Sequence, residues 1–315
     1  MNVDESVCLN SGYTIPRLAL GTFRAAKEAV SEAVELALSV GYRHIDCSMV
    51  HDNEKEVGEA IARSMERLNL RREDIFVAAK FSCDKHAPED VRKVCESSLK
   101  DLGLEYLDLY LVHFPMSPKT REDEPLSIYD PVSGDFERRK LEETWKATEE
   151  LVSAGLVRSI GVCNFVIRQL RWLLDRCTIP PAVNQVEVNV YYPNTRLIRF
   201  CRSRRIVVEG CAPLGSPCFM RFNPYKLLQN DDIVKVAHDY KKTPAQVVLR
   251  HSLQRGIVII LRSVIPERIK SCFDVFDFDL SHMDVLRVDN APWNVPLSRV
   301  SALAKDPEYP FHDDY

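Results

Sequence analysis

The sequence carries no excess of positive charge. Its 42 lysine and arginine residues face 46 aspartate and glutamate residues, a formal net charge of −4 at pH 7. A nucleic-acid backbone or an anionic membrane surface is therefore not an expected partner. Long hydrophobic runs are missing as well, and the longest near the end, Ile257–Leu261, is far too short to cross a bilayer. The start, Met1–Asn10, holds Asp4 and Glu5 and lacks a cationic segment followed by an apolar run, so no secretory signal is expected. Ten cysteines stand singly at 8, 47, 83, 95, 163, 177, 201, 211, 218 and 272, with no C-x-x-C pair. None has metal-ligand spacing with a histidine, so no metal site is expected. Most have apolar neighbours, where a free thiol behaves as a small hydrophobe. Reduced, structural thiols in a cytoplasmic protein are the expectation.

What the sequence does contain is alternation. Hydrophobic content of 45% and charged content of 28% describe an ordinary globular chain. Val7–Asn10 and Tyr13–Ile15 flank Ser11-Gly12, which predicts a small hairpin ahead of the main fold. Strands are predicted at Arg17–Leu20, Arg43–Asp46, Asp74–Lys80, Leu107–Val112, Val157–Val162, Ala182–Val186, Ile206–Val208 and Ile257–Leu261. Between them lie helical stripes, such as Val30, Ala33, Val34 and Ala37 in Lys27–Val40, stopped by Gly41. Further helices are predicted from Pro88 to Gly103, at Leu141–Val152 and Val166–Leu174, and from Pro266. Capping boxes are predicted at Asn53 with Glu56 and at Thr243 with Gln246, and Asn194 is predicted to cap the helix holding Leu197, Phe200 and Cys201. About eight β/α units without a linker or internal repeat point to an α/β chain folded as a (β/α)8 TIM barrel with an N-terminal β-hairpin. One domain over residues 1–315 is expected. The polar insert Pro115–Arg139 (115–140 with its junction) serves as a pocket loop and 292–315 as a tail.

Three ionisable residues fall at the predicted ends of consecutive strands: Asp46, Lys80 and His113. Strand C-termini are where catalytic side chains collect in this architecture. A carboxylate beside an ammonium keeps both charged in a partly dry pocket, and a histidine there can donate to a substrate oxygen. The bland alternative is a buried ion pair plus a satisfied histidine. Three on adjacent strands at one rim favour function.

Several stretches make the reading more specific. They are L-G-T-F around Gly21, G-Y-R-H-I-D ending at Asp46, N-E-K-E-V-G-E-A-I from Asn53 and L-D-L-Y-L-V-H-F-P around His113. Further ones are N-Q-V-E-V-N from Asn184, P-L-G-S from Pro213 and P-E-R-I at Pro266. In this order they resemble the aldo-keto reductase superfamily, of the aldose/aldehyde reductase kind, from about Val7 to Tyr315. The resemblance implies an eight-stranded β/α barrel and metal-free hydride transfer between NADP(H) and a carbonyl or alcohol. Asp46, Lys80 and His113 match three members of the family's catalytic tetrad. The fourth is normally a tyrosine proton donor five residues after the aspartate, and here that position is His51. An imidazolium loses its proton near pH 6.5 and a phenol near 10, so His51 should be partly or mostly uncharged at neutral pH. Lys80 is expected to push it lower and Asp46 to pull it up.

The same resemblance places the cofactor along the rim. Gly21, Thr22 and Phe23 would pass the nicotinamide ribose, with Asp46 close by. Asn164 and Gln185 would hold the carboxamide, with Cys163 where a serine is usual. Leu214, Gly215 and Ser216 would line the pyrophosphate. Arg262, Ser263, Val264 and Arg268 would clamp the 2′-phosphate, which favours NADPH over NADH. Departures are Cys211 for a stacking tyrosine, Ala212 for a serine, and Ser271 and Cys272 for an acid and an amide at the adenine. Losing the stack costs on the order of 1 kcal/mol, several-fold in affinity. Phe114, where a tryptophan is usual, with Met49, Val50 and the insert Pro115–Arg139 implies a largely apolar substrate pocket, in which His113 would bind the substrate oxygen.

Two readings follow. One is an NADPH-dependent carbonyl reductase, acting as a monomer on small aldehydes or ketones. The other is a catalytically weak or inactive barrel that binds cofactor or ligand, or regulates.

Overall fold

The computed structural model describes residues 5–118, 141–216, 226–290, 296 and 303–312. Strands β1 (Ser6–Cys8) and β2 (Thr14–Pro16) form the expected antiparallel hairpin. Eight parallel strands follow: β3 (Leu18–Gly21), β4 (His44–Asp46), β5 (Phe76–Phe81), β6 (Leu107–Val112), β7 (Val157–Cys163), β8 (Val183–Glu187), β9 (Val207–Cys211) and β10 (Val258–Leu261). They close as a barrel, with β10 pairing back onto β3. The expected (β/α)8 barrel with its hairpin is what the chain adopts.

The hairpin plugs the N-terminal mouth. Leu9 and Ile15 pack with Phe76, Leu109, Val183 and Val258. Burial of both faces explains why the strands read as unbroken apolar runs, β5 and β6 being buried at every residue.

Ten helices surround the barrel among the described residues. They are α1 (Lys27–Val40), α2 (Glu54–Leu68), α3 (Pro88–Leu102), α4 (Leu141–Ser153), α5 (Ile167–Leu174), α6 (Thr195–Ser203), α7 (Asp231–Asp239), α8 (Pro244–Gln254), α9 (Pro266–Phe273) and α10 (His282–Asp289). Gly58 on α2 is required by contact. A Cβ there would lie 2.4 Å from the Leu102 carbonyl oxygen at the end of α3.

Local differences from the sequence reading have physical reasons. The Thr243–Gln246 capping box forms. The one expected at Asn53 and Glu56 does not. Asn53 is buried, and its amide is spent on the Thr22 and Ala25 carbonyls at 3.0 and 3.1 Å. That tie fixes the loop after β3, a tertiary demand that outranks the cap. Asn194 stands at the start of α6, yet its amide turns to the Glu187 carbonyl at 3.0 Å. Helices α7 and α10 lie in stretches that gave no stripe, and α10 buries only Val288. The insert after residue 118 and much of the tail lie outside the described residues. The tail from 303 to 312 lies against the loop after β6, where Leu303 and Tyr309 pack with Cys83, Phe114 and Met116.

Candidate active site

Asp46 ends β4 opposite Ala78 of β5, and Lys80 follows two residues along β5. Adjacent parallel strands therefore bring the two side chains together at the C-terminal rim. The Lys80 Nζ donates to Asp46 Oδ1 at 2.5 Å and to the Cys47 carbonyl at 2.9 Å. Their side chains are only 3% and 6% exposed. Burial by itself would strip the ammonium, but the Asp46 carboxylate beside it holds Lys80 above its usual range. Removing one partner of such a buried pair costs about 3–5 kcal/mol.

His51 closes a single 3-10 turn, Met49–His51, just after β4, with Val50 half-buried beside it. It is no surface-loop residue, being 9% exposed. Its Nδ1 lies 2.9 Å from Thr22 Oγ1, and its ring meets Phe23 edge-on at 5.3 Å. Burial first, then the charges of Lys80 and His113, push His51 well below the usual imidazole range. The expected upward pull from Asp46 is not among the causes, because Asp46 already faces Lys80 and Gln185. Among the described residues no hydrogen bond joins His51 to Lys80.

His113 follows β6, its ring stacked on Phe114 with centroids 4.9 Å apart. Burial and the Lys80 ammonium lower it to about 3. Both rim histidines are therefore neutral at pH 7. A neutral imidazole still presents one N–H that can polarise a carbonyl oxygen. Phe114 is held between the rim and the tail.

The residues expected to hold a nicotinamide cofactor converge on the same rim. Gln185 is the register partner of Cys163 on β7 and of Glu209 on β9. Its amide nitrogen donates to Asp46 Oδ1 and Glu209 Oε2, each at 3.0 Å, which leaves Oε1 with only the Cys163 thiol at 3.8 Å. Asn164, in a left-handed conformation, donates to the His113 carbonyl at 3.0 Å. Ala212, Gly215 and Ser216 are also left-handed, giving the turn after β9 the shape of an anion nest. One of its N–H groups, that of Gly215, is already spent on the Ala212 carbonyl at 3.0 Å. Arg262 donates to the Phe23 and Arg24 carbonyls, both at 3.0 Å. Ser263 Oγ accepts from the Ile265 amide at 3.2 Å, and Val264 is half-buried beside it. Arg268 is exposed, and its guanidinium makes no hydrogen bond or ion pair with a described residue. A free guanidinium at the start of α9 suits an anionic phosphate group, so this donor set fits a nicotinamide dinucleotide.

Two nearby residues went unread in the sequence. His44 lies inside a quoted strand, and Glu209 lies just beyond the predicted end of β9. Both are fully buried inside the barrel. The available signal was an acid amid apolar strand residues, V-V-E-G-C. Among the described residues no cluster of three or more His, Cys, Asp or Glu side chains could hold a metal, and no helix is long and apolar enough to cross a membrane.

A closed parallel barrel with a buried Lys–Asp pair and two histidines at its C-terminal rim has the form of a barrel enzyme with its candidate site at the usual end. The match to the aldo/keto reductase family model spans residues 17–292, and the chain belongs to that family. It is 40% identical over 325 residues to aldo-keto reductase family 1 member A1-A of Danio rerio, covering 98% of this chain and 99% of that one. It is 38% identical to aldo-keto reductase family 1 member C1 of Homo sapiens, over 99% and 98% of the two chains. A solved structure, the aldose reductase from Schistosoma japonicum, superposes with a TM-score of 0.92 at 39% identity, over 99% of this chain and 100% of that one. Family membership supports oxidoreductase chemistry on small carbonyl substrates.

Proposed function

We propose that the chain is an NADP(H)-dependent oxidoreductase that reduces aldehyde and ketone carbonyls to alcohols, with His51 as the acid where its relatives use tyrosine. The observation that carries this reading is the buried Asp46–Lys80 pair set beside His51 and His113. Bound along the rim, the nicotinamide ring supplies the hydride. Arg268 and Ser263, with Arg262 and Val264 beside them, favour the 2′-phosphate. Gly21–Phe23 and Leu214–Ser216 flank the rest of the dinucleotide, and Gln185 and Asn164 the carboxamide. Val50 and Phe114 wall the substrate. The His113 N–H polarises the carbonyl oxygen, and the growing oxyanion sits in the field of Lys80. His51 binds Thr22 through Nδ1, so Nε2 is the nitrogen that hands over the proton. All nine cysteines among the described residues are free, which supports a reducing, cytoplasmic setting.

The test is NADPH oxidation with a reactive aldehyde between about pH 5.5 and 8. Above a lowered pKa the imidazolium fraction falls about tenfold per unit of pH. The rate should therefore climb continuously as pH falls across the whole range. A flat profile that His51→Ala leaves unchanged would remove His51 from the chemistry. The competing reading, a cofactor-binding barrel with little turnover, draws on one observation: burial keeps His51 uncharged. It predicts quenching of tryptophan fluorescence by NADPH without hydride transfer at any pH.

A further inference from the structure

Beneath the Asp46–Lys80 pair, the barrel interior holds a second pair of ionisable groups. His44 Nε2 and Glu209 Oε1 face each other at 3.5 Å, and both side chains are 0% exposed. The two atoms make no formed hydrogen bond with each other, and neither has a hydrogen-bond partner elsewhere. The tautomer of His44 is dictated by its other nitrogen. Nδ1 lies 3.1 Å from the Pro16 carbonyl oxygen, which has no proton to give, so Nδ1 must carry the hydrogen. A neutral His44 therefore turns a bare lone pair on Nε2 toward Glu209. An ionised carboxylate there would set acceptor against acceptor in a dry interior.

We propose that Glu209 is a positioning residue of the active site: with His44 it traps one proton inside the barrel, and through Gln185 it sets the hydrogen bonding and charge of the Asp46–Lys80 pair. This rests on the reductase reading above. The connection is continuous. Gln185 donates one amide hydrogen to Glu209 and the other to Asp46, each at 3.0 Å, and Asp46 accepts from Lys80. Both carboxylates fix the amide with its nitrogen inward, which leaves Gln185 Oε1 turned away from them. With the proton present, the interior carries only the balanced charges of Asp46 and Lys80. Without it, a second carboxylate shares Lys80 and the interior carries a net negative charge.

The groups facing this pair are few. On β4 they are His44 itself and Asp46, on β5 Lys80, on β8 the uncharged Gln185, and on β7 the Cys163 thiol, which burial holds well above its usual range. Burial and the Asp46 charge raise the Glu209 carboxyl to about 8, against the Gln185 hydrogen bond and Lys80. Burial lowers His44 to about 4. Both shifts put the trapped proton on Glu209 at neutral pH and release it in mild alkali.

Glu209→Gln separates the proton from the shape. Its amide nitrogen can donate to His44 and its oxygen can accept from Gln185, a permanent copy of the protonated carboxyl. Infrared difference spectra at pH 7 should show the C=O stretch of a protonated carboxyl in the wild type and not in Glu209→Gln, and that band should fade as pH rises through 8. The NADPH-dependent rate should fall more steeply above pH 8 in the wild type than in Glu209→Gln. At pH 7 Glu209→Gln should keep the rate within about twofold, while Glu209→Ala, if it folds, should lose tenfold or more. No protonated band at pH 7 would overturn the trapped proton. Superimposable alkaline profiles of wild type and Glu209→Gln would overturn the positioning role. A wild type without turnover at any pH would refute the reductase reading and the positioning role together, while the infrared comparison would still decide the proton.

Discussion

Replacing His51 with tyrosine should remove the acid dependence expected of the wild type. In the wild type the ring is buried, and burial, Lys80 and His113 all depress its affinity for a proton. Even an unshifted imidazole of pKa about 6.5 would be only about one-tenth protonated at pH 7.5, and each further unit of depression removes about another factor of ten. A phenol of pKa about 10 is essentially all protonated at that pH. His51→Tyr should therefore raise kcat/KM for aldehyde reduction at pH 7.5 by at least about tenfold, and flatten the climb toward acid. The substitution forfeits the Thr22 contact at 2.9 Å, worth about 1 kcal/mol, so unfolding in urea should shift only slightly. The assay is initial-rate NADPH oxidation from about pH 5.5 to 8.5, with cofactor binding followed separately by fluorescence quenching. A variant that binds NADPH as the wild type does, yet reduces aldehyde no faster at pH 7.5, would refute protonation as the handicap.

Other outcomes follow from neighbouring features. Gly58→Ala should destabilise the fold by about 1–3 kcal/mol in urea titrations, since the added methyl would lie 2.4 Å from the Leu102 carbonyl and must part α2 from α3. Arg268→Ala should weaken NADPH binding about tenfold or more in fluorescence titrations and leave NADH unaffected, because only NADPH offers the 2′-phosphate. His44 contributes an acid-sensitive component to stability. Its pKa is about 4 folded and about 6.5 unfolded, so below pH 6.5 the unfolded chain takes up the proton first and the fold loses stability. Between pH 7.5 and 5 this amounts to about 2 kcal/mol, and His44→Gln should lose about that much less than the wild type over the same interval.

The barrel was readable because its strands are buried on both faces and its helices on one, and these periods differ. Asp46, Lys80 and His113 were readable because polar groups at the ends of apolar strands have few bland explanations. Glu209 and His44 were not, since their partnership depends on which residues of short inward-facing strands meet across the barrel. The failed cap at Asn53 has the same origin: a local rule lost to two carbonyls in a distant loop. Helix α10 was missed because Met283 and Leu286 stand exposed, which leaves no apolar stripe to detect.

The clasp formed by Arg262 has a bearing on synthesis. It reaches from the loop after the last barrel strand to Phe23 and Arg24 after the first, a separation of 239 and 238 residues. The backbone seam between β10 and β3 joins the same distant parts of the chain. A ribosome must deliver the chain through Leu261 before this seam can shut, and contacts of such long range form late. Shortened products that stop ahead of Val258 would own Asp46, Lys80 and both rim histidines but no wall behind them. Closure of the barrel, and with it assembly of the rim, thus waits on synthesis through β10.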